Sequence, residues 1–104
     1  MSESQAPSSF GRVDADGTVY VREGDTERSV GQIPDSTPHE AMAFYVRRFE
    51  NLAAEVGLLE SRVAAQAMSP EEARTAITTA RANVAGANAV GDLAALTRRL
   101  DALL

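Results

Sequence analysis

Three aspartates in the first quarter of the chain are spaced like the first ligands of a calcium-binding loop. Asp14 and Asp16 are separated by one residue, and Asp25 stands at the twelfth position counted from Asp14. A calcium loop of this type requires Gly at its sixth position and a bidentate Glu at its twelfth. Val19 occupies the sixth position and Asp25 the twelfth. The pattern therefore favours tight turns rather than a calcium site.

His39 is the only histidine, and the chain has no cysteine. Structural zinc sites and thiol nucleophiles need residues that this composition lacks. His39 falls in the first turn of a predicted helix, where an imidazolium would oppose the helix dipole. There is also no Gly-rich phosphate loop and no Ser-His-Asp set. We therefore expect no catalytic residue, no metal or cofactor ligand, no small-molecule substrate and no enzymatic activity.

The basic residues are ten arginines, and they include two doublets, Arg47-Arg48 and Arg98-Arg99. Arginine binds phosphate groups in a bidentate manner, so the doublets are candidates for polar contacts with phosphates. On a solvated helix they pair instead with Glu side chains. The net charge of −5 argues against direct nucleic-acid binding and against an anionic membrane surface. We expect the pairing with Glu.

The first third of the chain is patterned as a tail followed by a small sheet. Residues 1–9 are small and polar, and we predict a disordered tail there and a single domain over residues 10–104. Thr18 to Arg22 alternates, so that Val19 and Val21 share one face of a strand. With turns on either side, residues 10–33 are predicted to form a β-hairpin or a three-stranded meander. So small a sheet needs another element to pack against.

A long helix is predicted over residues 38–66. Thr37-Pro38-His39-Glu40 has the form of a capping box with Pro in the first turn. The apolar residues that follow alternate in spacings of three and four, which is a heptad seam. Its members form either a core or an oligomer contact: Met42, Tyr45, Phe49, Leu52, Val56, Leu59 and Val63.

Ser69-Pro70-Glu71-Glu72 predicts a second helix over residues 70–85, and the short linker before it predicts an antiparallel return. Gly86 and Gly91 weaken the helix. A third segment over residues 92–104 either continues the second helix or folds back. The expected fold is α+β, mostly α: an N-terminal antiparallel β-hairpin or meander packed on an antiparallel coiled-coil helical hairpin with a broken returning arm.

Two stretches resemble the N-terminal segment of actinobacterial proteins of the domain-of-unknown-function 349 family. They are residues 10–22, FGRVDADGTVYVR, and residues 40–49, EAMAFYVRRF, joined by a shorter match at residues 90–96. The resemblance covers most of residues 10–104. It implies a helical, scaffold-like cytoplasmic protein, followed in the family by charged helical repeats. It transfers no catalytic residue.

The function expected from these patterns is that of a non-catalytic protein-interaction or oligomerisation module. A two-helix hairpin covers only part of a long helix, so residues such as Phe44 and Leu58 need a further partner. The partner is expected to be a second copy, forming a homodimer, or another helical protein. No apolar run reaches the length of a membrane span, and we expect a soluble, cytoplasmic protein.

The alternative is an accessory domain of a nucleic-acid- or ribosome-associated protein. Its binding surface would then lie in downstream repeats. The chain stops at Leu104, within a heptad and without a Gly cap, and we expect it to be the front part of a longer protein or to end where a partner continues the helix.

Overall fold

A computed structural model describes residues 10–33 and 35–104, and the predicted tail at residues 1–9 lies outside them. Three strands are followed by three helices, which confirms the α+β, mostly α class. The elements are β1 (Gly11–Val13), β2 (Thr18–Glu23), β3 (Thr26–Gln32), α1 (Pro38–Ala64), α2 (Pro70–Ala85) and α3 (Leu93–Asp101).

The strands form an antiparallel meander in the order β1-β2-β3. The β1–β2 turn contains Asp14 and Asp16, two of the three aspartates with calcium-loop spacing. The Gly17 N–H donates to the Asp14 carbonyl at 3.0 Å, and Gly17 takes the left-handed φ of 86°. The Asp16 carboxylate accepts the Thr18 N–H at 3.0 Å. These hydrogen bonds explain the spacing of Asp14 and Asp16 as turn chemistry.

One face of the sheet is apolar, as the alternation in β2 predicts. Val19 and Val21 are fully buried, and Tyr20 lies between them on the opposite face. Val19 and Tyr20 are consecutive in β2, but their partners in β3 are Gly31 and Ser29, so a β-bulge forms between these partners. Val30, the extra residue, is also buried. The sheet therefore presents three valines to its core side.

Capping boxes begin α1 and α2 where the sequence predicts them. The Glu40 N–H donates to the Thr37 hydroxyl at 3.1 Å, and the Thr37 N–H donates to the Glu40 carboxylate at 2.8 Å. Ser69 and Glu72 exchange the same pair of bonds at 3.1 and 2.9 Å. Each box satisfies two backbone N–H donors that would otherwise lack helical partners.

Helix α1 ends at Ala64, two residues before the predicted end, in a Schellman motif. The Ala67 N–H donates to the Arg62 carbonyl at 3.0 Å, and the Gln66 N–H donates to the Val63 carbonyl at 3.1 Å. Gln66 holds the left-handed position with φ 57°, which usually belongs to Gly. Nothing in the sequence marks this stop, because Gln is not a typical residue there.

The returning arm is broken, and its second part folds back. Residues 86–92 are not helical, and α3 packs along α2 in the opposite direction. The Arg81 guanidinium pairs with the Asp101 carboxylate at 2.9 Å. Beyond α3, Leu103 lines the same groove as Ala73 in the first turns of α2. Of the two alternatives predicted for residues 92–104, the structure therefore shows that this segment folds back.

Contacts divide the chain into two compact units. The first contains the sheet, α1 up to Glu50 and the segment Asn88–Asp92; its buried side chains include Val19, Val21, Val30, Ala41, Tyr45, Ala89 and Val90. The second contains the rest of α1 with α2 and α3; it buries Val56, Ile77, Val84, Leu93, Leu96 and Leu100. The single domain predicted over residues 10–104 stays a prediction, since compact units need not fold separately. Within the described residues, no helix is both long enough and apolar enough to cross a bilayer.

Candidate functional site

The predicted heptad seam of α1 lies on the covered side of the helix. Tyr45 and Val56 are buried, with 7% and 2% of their surfaces exposed. The other five seam residues are half-buried: Met42, Phe49, Leu52, Leu59 and Val63. The chain itself therefore covers much of the seam.

Two glycines make room for the aromatic part of this seam in the first unit. A Cβ on Gly31 would lie 2.0 Å from the Tyr45 hydroxyl, so the ring packs directly on the β3 backbone. A Cβ on Gly91 would lie 2.2 Å from the Phe49 ring. The Val90 N–H donates to the Tyr45 carbonyl at 3.0 Å. The side chains of Tyr45 and Phe49 therefore pack against other parts of the same chain.

The opposite side of α1 is exposed and carries two large apolar side chains. Phe44 is 49% exposed and Leu58 is 57% exposed. They are 14 residues apart in the same helix, which is two heptads, so they occupy the same heptad position. Asn51 lies midway. We call this surface the outer face of α1; its members, all exposed, are Glu40, Phe44, Arg48, Asn51, Glu55, Leu58 and Arg62.

Phe44 is held by neighbouring rings and charges. Its ring meets the ring of Tyr45 edge-on, with centroids 5.0 Å apart and planes at 84°. The Arg48 guanidinium lies 5.8 Å from the Phe44 centroid and 6.0 Å from the Tyr45 centroid. Phe44 is thus a half-exposed apolar residue with a cation beside it, a combination that is common in protein interfaces.

The two arginine doublets behave differently from each other. Arg99 pairs with Glu60 of α1 at 2.6 Å, and this contact lowers the pKa of Glu60. That bond links two helices, whereas pairs within one helix were expected. Arg98 is exposed in the last turn of α3. Arg48 lies over the aromatic rings, and Arg47 is exposed and forms no ion pair with the described residues.

A polar cluster covers the outer side of the sheet. The Arg12 guanidinium lies 4.4 Å from the Tyr20 ring centroid, donates to Glu27 at 2.9 Å and contacts Asp14. The bond from Arg12 lowers the pKa of Glu27, while the nearby Asp14 charge raises the pKa of Tyr20. Arg12 is therefore already neutralised by two carboxylates, which makes it a poor anchor for a phosphate.

An open groove of about 710 Å³ lies in the second unit beside the ends of α1 and α3. Its walls are largely apolar, and Arg74 adds one cation. Among residues 10–33 and 35–104, no three His, Cys, Asp or Glu side chains cluster closely enough to hold a metal ion. The groove offers no group that would act as an acid, a base or a nucleophile.

From the sequence, Phe44 and Leu58 are predicted to need cover and Arg48 to make polar contacts. The heptad spacing does not identify Asn51, Glu55 and Arg62, because these residues lie off the apolar seam. The signal that finds them is their position relative to the two exposed apolar residues. Asn51 is one heptad from each.

Comparisons with protein-family models, curated proteins and solved structures found no match. The resemblance to the domain-of-unknown-function 349 family stays a prediction. The outer face is thus interpreted from its own geometry and charge.

Proposed function

We propose that this chain is a cytoplasmic, non-catalytic protein-interaction module that acts through the outer face of α1 by coiled-coil-like helix pairing. The observation that carries the proposal is the exposure of Phe44 and Leu58, about half of each surface, on one side of a regular helix. Phe44 and Leu58 leave apolar surface in water, and covering that surface with an apolar partner would be favourable.

The seam that includes Val56 was predicted to form either a core or an oligomer contact. We assign the interaction to the outer face, since seam residues such as Tyr45 and Phe49 pack on this chain's own backbone. The helix is otherwise well anchored, with a capping box at Thr37 and an interhelical ion pair at Glu60. A helix that is already formed loses less conformational entropy on docking than a segment that must fold on binding, which suits an interaction module.

Charged residues alternate with the apolar ones on the outer face. Glu40, Arg48, Glu55 and Arg62 give it both signs of charge. A mixed pattern of this kind selects a partner helix with the complementary order of charges, in the manner of the flanking positions of coiled coils.

Photo-crosslinking in cells tests the proposal. A photo-reactive phenylalanine analogue at Leu58 is expected to give one discrete adduct, because Leu58 is one of the two exposed apolar residues of the outer face. The matched control is the same analogue at Glu71, which is exposed on α2. Equal labelling at both positions, or no adduct at Leu58, would contradict the proposed function.

A further inference from the structure

We infer that the partner of the outer face is a second copy of this chain, bound antiparallel with its α1 crossing at Asn51. This inference rests on the proposed function and names its partner. Phe44 lies seven residues before Asn51, and Leu58 lies seven residues after it. In an antiparallel pair centred on Asn51, Phe44 of each copy meets Leu58 of the other at the same height. Both exposed apolar residues of each copy are then covered.

The charges of the outer face fit the same register. Glu40 and Arg62 each lie eleven residues from Asn51, on opposite sides, so that they also fall at the same height in the pair. Arg48 lies three residues before Asn51 and Glu55 four residues after it. In the pair, Arg48 of one copy and Glu55 of the other differ in position along the helix axis by one residue, about 1.5 Å. Every such contact joins opposite charges.

A parallel pair would bring each residue to the level of its own counterpart. Arg48 would then face Arg48, and Glu55 would face Glu55, which is repulsive. The charge order thus distinguishes the two orientations. Asn51 adds register specificity, since its amide both donates and accepts a hydrogen bond and would meet the same amide of the second copy.

These charges are available for contacts between copies. Glu55 and Arg62 form no ion pair with the described residues. Glu40 uses Oε1 to accept the Thr37 N–H, which leaves its Oε2 to face Arg62 of the second copy. Association would therefore break no ion pair within either copy.

Cysteine crosslinking tests the register, and the chain has no native cysteine to interfere. Asn51→Cys is expected to form a disulfide-linked dimer under mild oxidation, because the two copies of this position meet at the crossing point. The control is Arg62→Cys. In the proposed pair its two copies are 22 residues apart along the axis, about 33 Å, and no disulfide can form. Equal crosslinking of both variants, or none of Asn51→Cys, would overturn the inference.

Charge reversal supplies a second test, read by sedimentation of the purified protein. The wild type is expected to form a dimer of about twice its 11.0 kDa mass at micromolar concentration. Arg48→Glu and Glu55→Arg are each expected to weaken dimerisation about tenfold, since like charges then face each other twice. An equimolar mixture of the two variants should dimerise like the wild type, because both cross-pairs become complementary.

The outcomes separate this inference from the proposed function. A wild type that stays at 11.0 kDa throughout, or a mixture that remains as weak as its components, overturns the inference. The proposed function falls only if the crosslinker at Leu58 gives no specific adduct. An adduct with a different protein would leave the function intact and exclude the second copy as its partner.

Discussion

The backbone N–H of Val90 donates to the carbonyl oxygen of Tyr45 at 3.0 Å, although the two residues are 45 positions apart. Tyr45 lies within α1, and Val90 lies in the connection between α2 and α3. Val90 is almost fully buried, and its side chain lies against Gly11 of β1. The connection is thus an integral part of the first unit, held by a backbone hydrogen bond and by apolar contacts.

Gly91→Ala is expected to destabilise the protein by about 2 kcal/mol. The new methyl group would fall 2.2 Å from the Phe49 ring, so the ring or the connection must move. Chemical denaturation followed by circular dichroism measures the loss. The control is Gly86→Ala, where the nearest atom to the new Cβ is the Ala82 carbonyl oxygen at 3.7 Å. A loss at position 86 as large as that at 91 would refute the steric explanation.

Local signals made the helix starts predictable from sequence. Both capping boxes, at Thr37 and at Ser69, are formed by residues three positions apart, so nothing distant decides them. The alternation that places Val19 and Val21 on one face is also local.

Distant partners decided what could not be predicted. From the sequence, Gly91 is predicted only to weaken a helix. In the structure its backbone packs against the ring of Phe49, 42 residues earlier. The direction of α3 depends on contacts such as Arg81 with Asp101, which no spacing rule identifies. For the outer face, the sequence indicated that Phe44 and Leu58 need cover, but their exposure depends on which side of α1 the rest of the chain occupies.

Val56→Asp and Leu58→Asp form a matched pair that separates folding from association. Val56 is 2% exposed, so an aspartate there would be buried without a partner and is expected to cost about 3 kcal/mol or more. Leu58 is 57% exposed, and its replacement should lower the thermal unfolding midpoint much less than Val56→Asp does, since only the contribution of the dimer contact is lost. Leu58→Asp should instead abolish association measured by light scattering. Equal melting of the two variants would contradict the assignment of the two sides of α1.

Gln66→Gly is expected to stabilise the protein by about 1 kcal/mol. Gln66 has a φ of 57°, which is strained for a side chain with a Cβ and unstrained for Gly. Urea denaturation measures the gain. Ala64→Gly, at the last helical residue of α1, provides the contrast, since Gly within a helix lowers stability. The explanation fails if both substitutions change stability in the same direction.

Acid is expected to destabilise the protein through the capping carboxylates. Hydrogen bonds from Thr37 and Ser69 lower the pKa of Glu40 and of Glu72 below the ordinary 4.5. The unfolded chain then binds protons more readily than the folded one. The contribution of these two carboxylates to the free energy of unfolding is therefore fully present above about pH 4.5 and declines as the pH falls through their lowered pKa values.

Urea midpoints measured from about pH 7 to about pH 3 test this dependence. The double variant Glu40→Gln/Glu72→Gln should be less stable than the wild type near neutrality and should show a shallower acid decline. Glu50→Gln, on an exposed position of α1 outside both boxes, serves as the control. An acid decline in the double variant as steep as that of the wild type would show that other carboxylates dominate.

The first unit is assembled from pieces that are not contiguous in the chain: residues up to Glu50 and then Asn88–Asp92. During synthesis, a ribosome makes the sheet and the first half of α1 well before it reaches Val90. Until then Tyr45 lacks its backbone partner and Phe49 lacks the backbone of Gly91. The first unit therefore cannot be completed until Val90 and Gly91 have emerged, so its folding depends on contacts that are distant in the sequence.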